Sequence, residues 1–412
     1  MFKEFSFIHT SDLHLDSPFQ GLCRLDPQLG KICIRSTFEA YNNIINQAID
    51  RNVDFVLIAG DSFDRTNKSL AAQREFFKGL EKLDKAGIKT FMTHGNHDPS
   101  GDRKSVFKEP VSTKIFSSNN TESVEVLNSQ NEVIAIIHGL SFKHKIFNEN
   151  PINSFPQQKD DYFNIGLLHC NVGSNSEHDN YAPCSIVDLK NTGYDYWALG
   201  HIHKPQIIND DNSTIIYCGT PQGRSSKEIN EHGCYLVKVD NNGKIEREFI
   251  TTDIIRWQNL VIDISSAEDM NSLATLIEQG IDGLSEINSD IEALLVNLTL
   301  IGDNILHKEL TNKDDVLNFV TQSLSTTHKI YIQKLEIKSR MPIDVESLKS
   351  SENFIAYLLN LMEDGTINQE VFNKVYEELK PALSGYYSKD NMNPKEILDE
   401  VQNRCLELFY ED

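Results

Sequence analysis

The first 250 residues of this 412-residue chain predict an α/β fold in which buried strands alternate with helices. Five short apolar runs, rich in β-branched or aromatic residues, are each followed by a polar cluster: Phe5 to Ile8, Phe55 to Ala59, Ile88 to Met92, Asn164 to Leu168 and Tyr194 to Leu199. Segments with helical spacing, Thr37 to Arg51 and Ser69 to Ala86, separate the first three runs. This alternation is typical of α/β proteins, whose active loops lie at strand ends.

The composition changes after about residue 250. Residues 1–250 contain 26 basic and 32 acidic residues, whereas the rest of the chain contains 13 and 29. A strand over 260–265, a helix over 268–284 that begins with a capping box of Ser265 and Glu268, and a strand over 293–300 predict a small β-α-β module. We therefore expect a first domain over 1–250, a cap module over 255–345 and a helical region over 350–412.

The helical region is predicted to contain three helices, near 352–363, 367–380 and 393–411. The last has the clearest start, because Asn393 offers an N-cap, Pro394 occupies the first helical position and Glu396 can complete a capping box. One face of this helix is apolar from Ile397 to Phe409. That face either packs on the protein's own core or binds a partner.

The net charge of −22 argues against a protein that holds nucleic acid mainly through a positive surface. No run approaches 18 apolar residues, and the N-terminus lacks the long apolar core of a signal peptide. Seven widely spaced cysteines without a C-x-x-C pair fit neither a disulfide framework nor a structural zinc site. We therefore expect a cytoplasmic protein without a membrane partner.

Polar residues able to bind a metal follow all five apolar runs. They are Asp12, His14, Asp61, Asn96, His169, His201 and His203. Taken singly, each cluster is typical of a solvated turn or a structural histidine. The predicted fold, however, puts all five clusters on one rim of a sheet, and carboxylate, imidazole and amide groups suit a first-row divalent metal. Together they predict a metal site.

Seven ligands are too many for one ion and suit two ions that share a bridging carboxylate. Such sites place the ions about 3.5 to 4 Å apart and stabilise both the attacking and the leaving oxygen of an in-line phosphoryl displacement. The pattern therefore predicts phosphoester hydrolysis. Gly60, Gly95 and Gly200 are expected to let the backbone turn sharply at the strand ends.

The five motifs, in this order over residues 12 to 203, resemble the signature of the calcineurin-like metallophosphoesterases. More narrowly, two segments and the cap module resemble the SbcD-like and YhaO-like DNA-repair exonuclease subunits over most of residues 1 to 340. The segments are His9-Thr-Ser-Asp-Leu-His-Leu-Asp-Ser-Pro18 and Tyr217-Cys-Gly-Thr-Pro-Gln-Gly-Arg224. The resemblance implies a β-sandwich flanked by helices, DNA as substrate and two divalent ions, with Mn²⁺ expected.

The resemblance also implies roles for individual residues. It assigns one metal to Asp12, His14, Asp61 and His203, and the other to Asp61, Asn96, His169 and His201, with Asp61 as the bridge. His97 would lie beside the scissile phosphate as a general acid, and Asp98 would orient its ring. Asp64 occupies a position where eukaryotic and archaeal relatives of the nuclease carry a histidine, so its role is open between a site residue and an exposed turn carboxylate.

The same family works with a coiled-coil ATPase of the SbcC or YhaN type, which would supply the positive surface that this chain lacks. A homodimer is left open. Two other functions compete with a nuclease. A small-molecule phosphatase or cyclic-nucleotide phosphodiesterase is disfavoured by the cap module, which a minimal phosphatase lacks. A catalytically silent scaffold is disfavoured because all seven ligands and His97 are present.

Overall fold

The structure, a computed structural model, describes residues 2–17, 19, 27–64, 69–101, 106–159, 161–173, 181–324, 330–342, 348–350 and 356. The strands are β1 Phe5–Thr10, β2 Phe55–Ala59, β3 Lys89–Thr93, β4 Thr113–Ile115, β5 Glu122–Leu127, β6 Val133–Gly139, β7 Asn164–His169, β8 Tyr196–Gly200, β9 Gln206–Asn209, β10 Thr214–Tyr217, β11 Gly233–Val239, β12 Ile245–Thr251, β13 Ile255–Asp263, β14 Ala293–Asp303 and β15 Ile330–Arg340. The α-helices are α1 Pro27–Asp50, α2 Leu70–Lys85, α3 Ile186–Asn191, α4 Met270–Ile287 and α5 Lys313–Ser323, and short 3-10 helices span Pro151–Ser154 and Ile305–Thr311.

Two six-stranded sheets form the main part of the fold. The first has the order β12-β11-β1-β2-β3-β4, and the second has the order β5-β6-β7-β8-β10-β9. Strands β1, β2 and β3 are parallel to one another, as are β6, β7, β8 and β10. The carboxyl ends of neighbouring parallel strands therefore lie at one edge of each sheet, which is where the polar clusters follow. The prediction that all five clusters share one rim of a single sheet is wrong, because three clusters follow strands of the first sheet and two follow strands of the second.

The core between the two sheets is rich in aromatic side chains. Phe7 stacks on Phe55 with ring centroids 5.0 Å apart. Tyr196 from the second sheet packs edge-on against the Phe7 ring, with centroids 5.2 Å apart. All three rings are fully buried. Burial of such large apolar surfaces is the main stabilising term of the sandwich. The aromatic runs near Tyr194 and Trp197 also lie in the core, as their sequence pattern predicts.

Helices cover the outer faces of the sandwich. Side chains of α1 and α2, such as Ile44 and Leu80, pack on the outer face of the first sheet against Ile8 and Ile58. The helix α2 begins where the sequence predicts, because the Ser69 side chain accepts a hydrogen bond from the Ala72 amide. The helix α1 begins ten residues earlier than the predicted start at Thr37. The predicted β-sandwich flanked by helices is confirmed.

The strands β13, β14 and β15 form a separate three-stranded sheet. Backbone hydrogen bonds from Glu292 to Ile254 and from Ile264 to Ile301 show that β13 and β14 run in the same direction, with α4 between them. The predicted β-α-β module is therefore present. The third strand, β15, and the helix α5 extend it beyond the sequence prediction.

The predicted capping box of α4 is wrong. Asp269 caps the helix, because its Oδ1 accepts a hydrogen bond of 2.8 Å from the Ser272 amide. The Ser265 hydroxyl instead donates to Asp263 Oδ1 at 2.6 Å. Since Asp263 lies at the end of the preceding strand and engages this hydroxyl, Ser265 is not free to pair with Glu268.

The described residues group into two compact units. The first contains the residues up to Leu260, together with Gly280–Leu298 and Thr321–Lys334. The second contains Val261–Gln279, Thr299–Val320 and the residues from Leu335 onward. The three-part division by composition stays a prediction, and the three predicted C-terminal helices near 352–363, 367–380 and 393–411 lie outside the described residues apart from residue 356. Within the described ranges, no helix is long and apolar enough to cross a membrane.

Candidate metal centre

The loop after β1 brings Asp12 and His14 beside the loop after β2. The Asp12 amide donates to the Gly60 carbonyl at 3.1 Å, and the His14 amide donates to the Asp61 carbonyl at 3.0 Å. The side chains of Asp12, His14 and Asp61 are all buried. Two loops that are distant in sequence thus run side by side, and three predicted ligands converge.

The backbone at these positions is strained. Asp12, His14, Asp61 and His201 have φ values of 50°, 41°, 49° and 103°, in the region that L-residues rarely adopt. Each such residue costs on the order of 1–3 kcal/mol and persists only where the surroundings enforce it. Four of the seven predicted ligands carry this strain, which supports a functional role for the cluster.

The loop after β3 carries Asn96, His97 and Asp98. The buried Asp98 carboxylate accepts a hydrogen bond of 3.0 Å from the Gly95 amide through one oxygen and one of 2.9 Å from the Ser62 amide through the other. Asp98 therefore ties the loop after β3 to the loop after β2. This role differs from the predicted orientation of the His97 ring.

The second sheet contributes the remaining histidines. His169 is the last residue of β7, and its Nδ1 donates to the Ala59 carbonyl at the end of β2, at 2.9 Å. His201 and His203 follow β8, and the His201 amide donates to the Asp12 carboxylate at 3.1 Å. The ends of the two sheets are thus joined by polar contacts at the site itself.

The predicted ligands form two groups of converging atoms. In the first group, His14 Nε2 lies 3.2 Å from His203 Nε2 and 3.9 Å from Asp12 Oδ1. In the second group, Asn96 Oδ1 lies 2.9 Å from His169 Nε2 and 3.3 Å from His201 Nδ1.

Asp61 reaches both groups. Its Oδ2 lies 3.9 Å from His14 Nε2 and 3.3 Å from His169 Nε2. The structure thus brings all seven predicted side chains together at one edge of the sandwich, with this carboxylate between the two groups.

The donor atoms fit divalent metal ions. Ligand atoms about 2.1 Å from one ion lie about 3 Å from each other. The separation of 3.2 Å between His14 and His203 and those of 2.9 and 3.3 Å in the second group are close to this value, whereas Asp12 Oδ1 lies farther from His14 Nε2, at 3.9 Å. A Cβ atom at Gly95 would overlap Asp61 Oδ1 and lie 2.8 Å from His169 Nε2. Glycine at this position therefore keeps the space around the second group open.

The three glycines at the strand ends act in two ways. Gly60 has a φ of 85° and so permits the turn that the sequence predicts. Gly95 and Gly200 do not have positive φ values but provide space, since a Cβ atom at Gly200 would overlap the Ala59 carbonyl and lie 2.8 Å from His169 Nδ1. A side chain at either position would displace the imidazole of His169.

Burial and neighbouring charges shift the pKa values of the histidines and carboxylates in the site. Burial lowers the pKa of His14 to about 3. Burial also disfavours protonation of His169, but the Asp61 and Asp12 carboxylates raise its pKa to about 9. Burial raises the pKa of Asp12, whereas for Asp61 the burial effect is outweighed by His169, which holds the pKa of that carboxyl well below its usual range. A cation bound in place of the His169 proton would meet the same negative field.

His97 lies at the opening of the site. Its side chain is 43% exposed and its ring packs edge-on against His14, with centroids 4.9 Å apart. The His97 amide donates to Asp61 Oδ1 at 2.8 Å, and its Nδ1 lies 3.2 Å from the Asp64 carbonyl oxygen. Among the described residues, Asp64 rather than Asp98 provides the hydrogen-bond partner of this ring.

Comparisons with known proteins agree with this geometry. The family profile of the calcineurin-like phosphoesterases matches residues 5–205, and the profile of the middle domain of metallophosphoesterase YhaO matches residues 257–340. The chain is 36% identical over 302 residues to the metallophosphoesterase YhaO of Bacillus subtilis (strain 168), which covers 73% of each protein. The chain belongs to the calcineurin-like phosphoesterase family.

Two further relatives of this phosphoesterase have names that refer to DNA repair or to a nuclease. The DNA double-strand break repair protein Mre11 of Saccharolobus solfataricus is 22% identical over 393 residues, covering 90% of this chain and 98% of the relative. The SbcD component of the nuclease SbcCD of Bacillus subtilis is 24% identical over 254 residues, covering 54% and 62%. The family fold implies divalent metal ions and a hydrolase, and the residue groups around Asp12 and Asp61 are able to hold such ions.

The phosphoesterase site contains three charged residues that the sequence motifs do not assign. Asp64 is not an exposed turn carboxylate, because its side chain is only 19% exposed and Oδ1 lies 3.2 Å from His14 Nδ1. Glu228 lies against His203, and Arg224 pairs with both Asp64 and Glu228. Glu228 has no local signal in the sequence, since only tertiary folding brings it to the site.

Two other histidines of the phosphoesterase are structural. His9 Nδ1 bonds with the Tyr196 hydroxyl at 2.9 Å. His138 bonds with Ser123 and Asn164, and its ring stacks on Tyr194. Both side chains are buried.

Proposed function

We propose that this phosphoesterase is a cytoplasmic, metal-dependent DNA nuclease, of exonuclease or endonuclease type, that hydrolyses phosphodiester bonds at a two-metal site. The proposed ligands are Asp12, His14, Asp61, Asn96, His169, His201 and His203. The observation that carries the proposal is the position of Asp61, whose Oδ2 is within 3.9 Å of His14 Nε2 and 3.3 Å of His169 Nε2. One carboxylate that reaches two groups of imidazoles is the arrangement that a bridging ligand requires.

The donor set suits first-row divalent ions, and we propose Mn²⁺. When bound, two such ions supply electrostatic stabilisation of the attacking and leaving oxygens of an in-line displacement at phosphorus. The chain's own residues orient the reaction. The buried loops hold Asp12 and Asp61 in strained backbone conformations, so that little reorganisation is needed when substrate binds.

His97 is proposed as the general acid. Its Nδ1 can donate to the Asp64 carbonyl, which leaves Nε2 to carry a proton toward the leaving oxygen. The ring is more exposed than the proposed ligands around it, which suits a group that meets substrate rather than metal. The main-chain amide of His97 has a separate role, because it donates a hydrogen bond to the Asp61 carboxylate.

DNA is proposed as the substrate because two relatives bear names of DNA-processing proteins. The alignment with Mre11 covers 90% of this chain, so the likeness extends beyond the phosphoesterase motifs. The module over 257–340 is an addition that a minimal small-molecule phosphatase does not need.

The net charge of −22 opposes binding to DNA by this chain alone. We therefore propose that a coiled-coil ATPase of the SbcC or YhaN type supplies a positive surface and that the complex acts in DNA repair. The relative from the nuclease SbcCD is by its name one component of an assembly. A homodimer is compatible with the same arrangement.

A substrate comparison tests the nuclease proposal. The full chain is incubated with Mn²⁺ and either linear DNA or para-nitrophenyl phosphate, alone and with the ATPase encoded nearest to its gene. We expect degradation of DNA and poor hydrolysis of the phosphomonoester. Rapid phosphomonoester hydrolysis without DNA cleavage would favour a small-molecule phosphatase, and no hydrolysis of either substrate by the metal-loaded complex would favour a scaffold.

A truncation tests the partner proposal. A chain that ends after Ser388 lacks the predicted amphipathic segment over 394–411. It should retain metal-dependent hydrolysis of a small phosphodiester but lose co-purification with the ATPase, since apolar residues at helical spacing are typical of groove-binding helices. An intact complex after truncation would show that the partner docks elsewhere.

A further inference from the structure

A network of charged side chains lies behind the first group of predicted ligands. We call Asp64, Arg224 and Glu228 the carboxylate clamp. Asp64 follows β2, whereas Arg224 and Glu228 lie between β10 and β11. All three side chains are between 12% and 19% exposed, so the network is shielded from most solvent screening. None of the three belongs to the proposed ligand set.

Glu228 holds one ring of the first group. Its Oε1 lies 2.7 Å from His203 Nδ1, and its Oε2 accepts a hydrogen bond of 2.7 Å from the Arg224 amide. Both oxygens of the carboxylate are therefore held in place. An ionised carboxylate can only accept, so the short contact requires that His203 Nδ1 carries hydrogen.

A second contact would suit the opposite tautomer of His203, in which Nε2 carries the hydrogen. Arg224 Nη2 lies 3.3 Å from His203 Nδ1 and could donate to it if that nitrogen carried a lone pair. The Glu228 contact is 0.6 Å shorter, and a lone pair at 2.7 Å from a carboxylate oxygen would be repelled. The geometry thus favours hydrogen on Nδ1.

Arg224 links the Glu228 carboxylate to that of Asp64. Asp64 Oδ1 lies 3.2 Å from His14 Nδ1, but the two atoms do not have the geometry of a hydrogen bond. Arg224 Nη1 is 3.1 Å from the same oxygen, and its Nη2 is 3.4 Å from Glu228 Oε1. A planar guanidinium presents several donors in a fixed geometry, so one side chain can hold both carboxylates at once.

The two Nε2 atoms show the consequence for the ligands. With hydrogen on Nδ1, the neutral His203 ring directs an Nε2 lone pair at His14 Nε2 across 3.2 Å. This lone pair accepts a hydrogen bond when His14 Nε2 carries hydrogen and is available to a metal ion when it does not. The clamp therefore keeps His203 Nε2 as a lone-pair donor within the first group.

We propose that Glu228, held by Arg224 and linked through it to Asp64, is a positioning residue that fixes the Nδ1–H tautomer of His203 and so presets one ligand of the first group for a metal ion. This inference rests on the two-metal site of the proposed function. It assigns to Asp64, at the position where some relatives carry histidine, a role in anchoring Arg224.

The proposal predicts a graded series of variants. Glu228→Ala removes the acceptor of His203 Nδ1 and should weaken binding of one of two Mn²⁺ ions by about 10- to 100-fold, the usual cost of losing such a partner. Glu228→Gln keeps the shape and one acceptor oxygen, so its loss should be smaller. Arg224→Lys should have an intermediate effect, because a single ammonium cannot span both carboxylates.

Two measurements on the full-length chain test this series without relying on DNA cleavage. Mn²⁺ titration of the metal-free chain gives the affinity of each ion, and ¹⁵N NMR of the histidine rings in the metal-free chain reports which ring nitrogen carries hydrogen. We expect Nδ1–H for His203 in the unaltered chain. In Glu228→Ala, His203 should lose this preference. Thermal unfolding shows that each variant is folded.

The matched control is Glu248→Ala, which removes a surface carboxylate that pairs with Arg51 at 2.9 Å and should change neither measurement. An Nε2–H tautomer of His203 in the unaltered chain would overturn the proposal, as would unchanged metal affinity in folded Glu228→Ala and Glu228→Gln. If the chain binds two ions with the expected tautomers but does not cleave DNA, the nuclease proposal fails and this inference stands.

Discussion

The two groups of proposed ligands are supported in different ways. In the first group, the Nδ1 atoms of His14 and His203 face the carboxylates of Asp64 and Glu228. In the second group, His169 Nδ1 faces the uncharged backbone carbonyl of Ala59. The histidines of the first group thus lie beside charged side chains, whereas His169 of the second group is held by the main chain of a neighbouring strand.

The difference follows from where the ligands lie in the fold. His169 is the last residue of β7, and the end of β2 is close enough to supply a carbonyl. His14 and His203 lie in loops beyond the strand ends, where no such row of carbonyls is fixed. His169 can therefore use the sheet for support, whereas His14 and His203 lie beside carboxylates that Arg224 contacts.

The largest expected effect comes from Asp61→Ala, because Asp61 is the one residue proposed to serve both groups. The variant should lose both ions and lose hydrolysis to background, while its fold persists because little apolar surface is removed. Metal analysis and a nuclease assay with Mn²⁺ check this. By contrast, His201→Ala should remove one ion and also abolish hydrolysis.

Asp210→Ala is the control for Asp61, since Asp210 pairs with Arg247 at the surface and is remote from both groups in the fold. It should bind two ions and retain activity. Full activity of Asp61→Ala with Mn²⁺ present would rule out Asp61 as a bridging carboxylate. It would also rule out the view that two ligand groups share this residue.

His97→Ala should leave both groups loaded but slow the reaction. Its contact with Asp61 comes from the main-chain amide, which alanine keeps. Loss of a positioned general acid typically lowers the rate by about 10²- to 10⁴-fold. Metal stoichiometry and the rate constant are measured on the same preparation, and a parallel loss of metal and rate would make His97 a ligand instead.

Asp98→Ala tests whether Asp98 ties the loops or orients His97. Its removal leaves the buried amides of Ser62 and Gly95 unpaired, which should lower the free energy of unfolding by about 1–3 kcal/mol for each amide. Metal affinity should fall by about 10- to 100-fold, since Asp61 and Asn96 lie on the loops that Asp98 joins.

The control for Asp98 is Asp54→Ala, because Asp54 also accepts a hydrogen bond from a backbone amide, that of Ser6, but lies before β2 rather than after it. This control should lose stability without losing metal affinity. If Asp98→Ala instead keeps both ions at full affinity and only slows turnover, the sequence-based assignment of Asp98 to the His97 ring is correct.

Gly95→Ala should have the smallest effect on metal binding of the variants considered. It should also distinguish the metal affinity of the first group from that of the second. The added Cβ is directed at Asp61 and His169, so it should weaken the second group more than the first. Overpacking of this kind costs about 1–3 kcal/mol, which corresponds to roughly tenfold or more in affinity for one ion. Titration with Mn²⁺ measures the two affinities separately.

Gly283→Ala is the matched control for Gly95, since nothing lies within 4 Å of a Cβ at this position in α4. Alanine is favoured over glycine in a helix by about 1 kcal/mol, so this variant should be as stable as the parent or more so. Equal weakening of both ions in Gly95→Ala would contradict the view that the two groups are supported independently.

Local patterns in the sequence were sufficient to predict the strands and the polar residues that follow them. An apolar run buried on both faces requires the polar residues after it to leave the sheet, and parallel strands place those residues at one edge. For that reason Asp12, Asp61 and Asn96 could be expected together without any structure, whereas His169 ends a strand of the second sheet and joins them only through the packing of the two sheets. The helix α1 was underestimated because residues 27–36 lack the regular apolar spacing of residues 37–51. Cys33 in this part of the helix lies in one buried cluster with Trp257 and Leu295.

The sequence by itself therefore determined the alternation of strands and helices and the identity of the seven clustered side chains, since each depends on residues adjacent in the chain, and the resemblance of its motifs implied the sandwich. Only the tertiary structure decided what supports them: Asp98 joins two loops, and Arg224 joins Asp64 to Glu228. The physical reason is that such contacts depend on distance in space, and Asp64 and Arg224 are separated by 160 positions along the chain. No periodicity or short motif can carry that information.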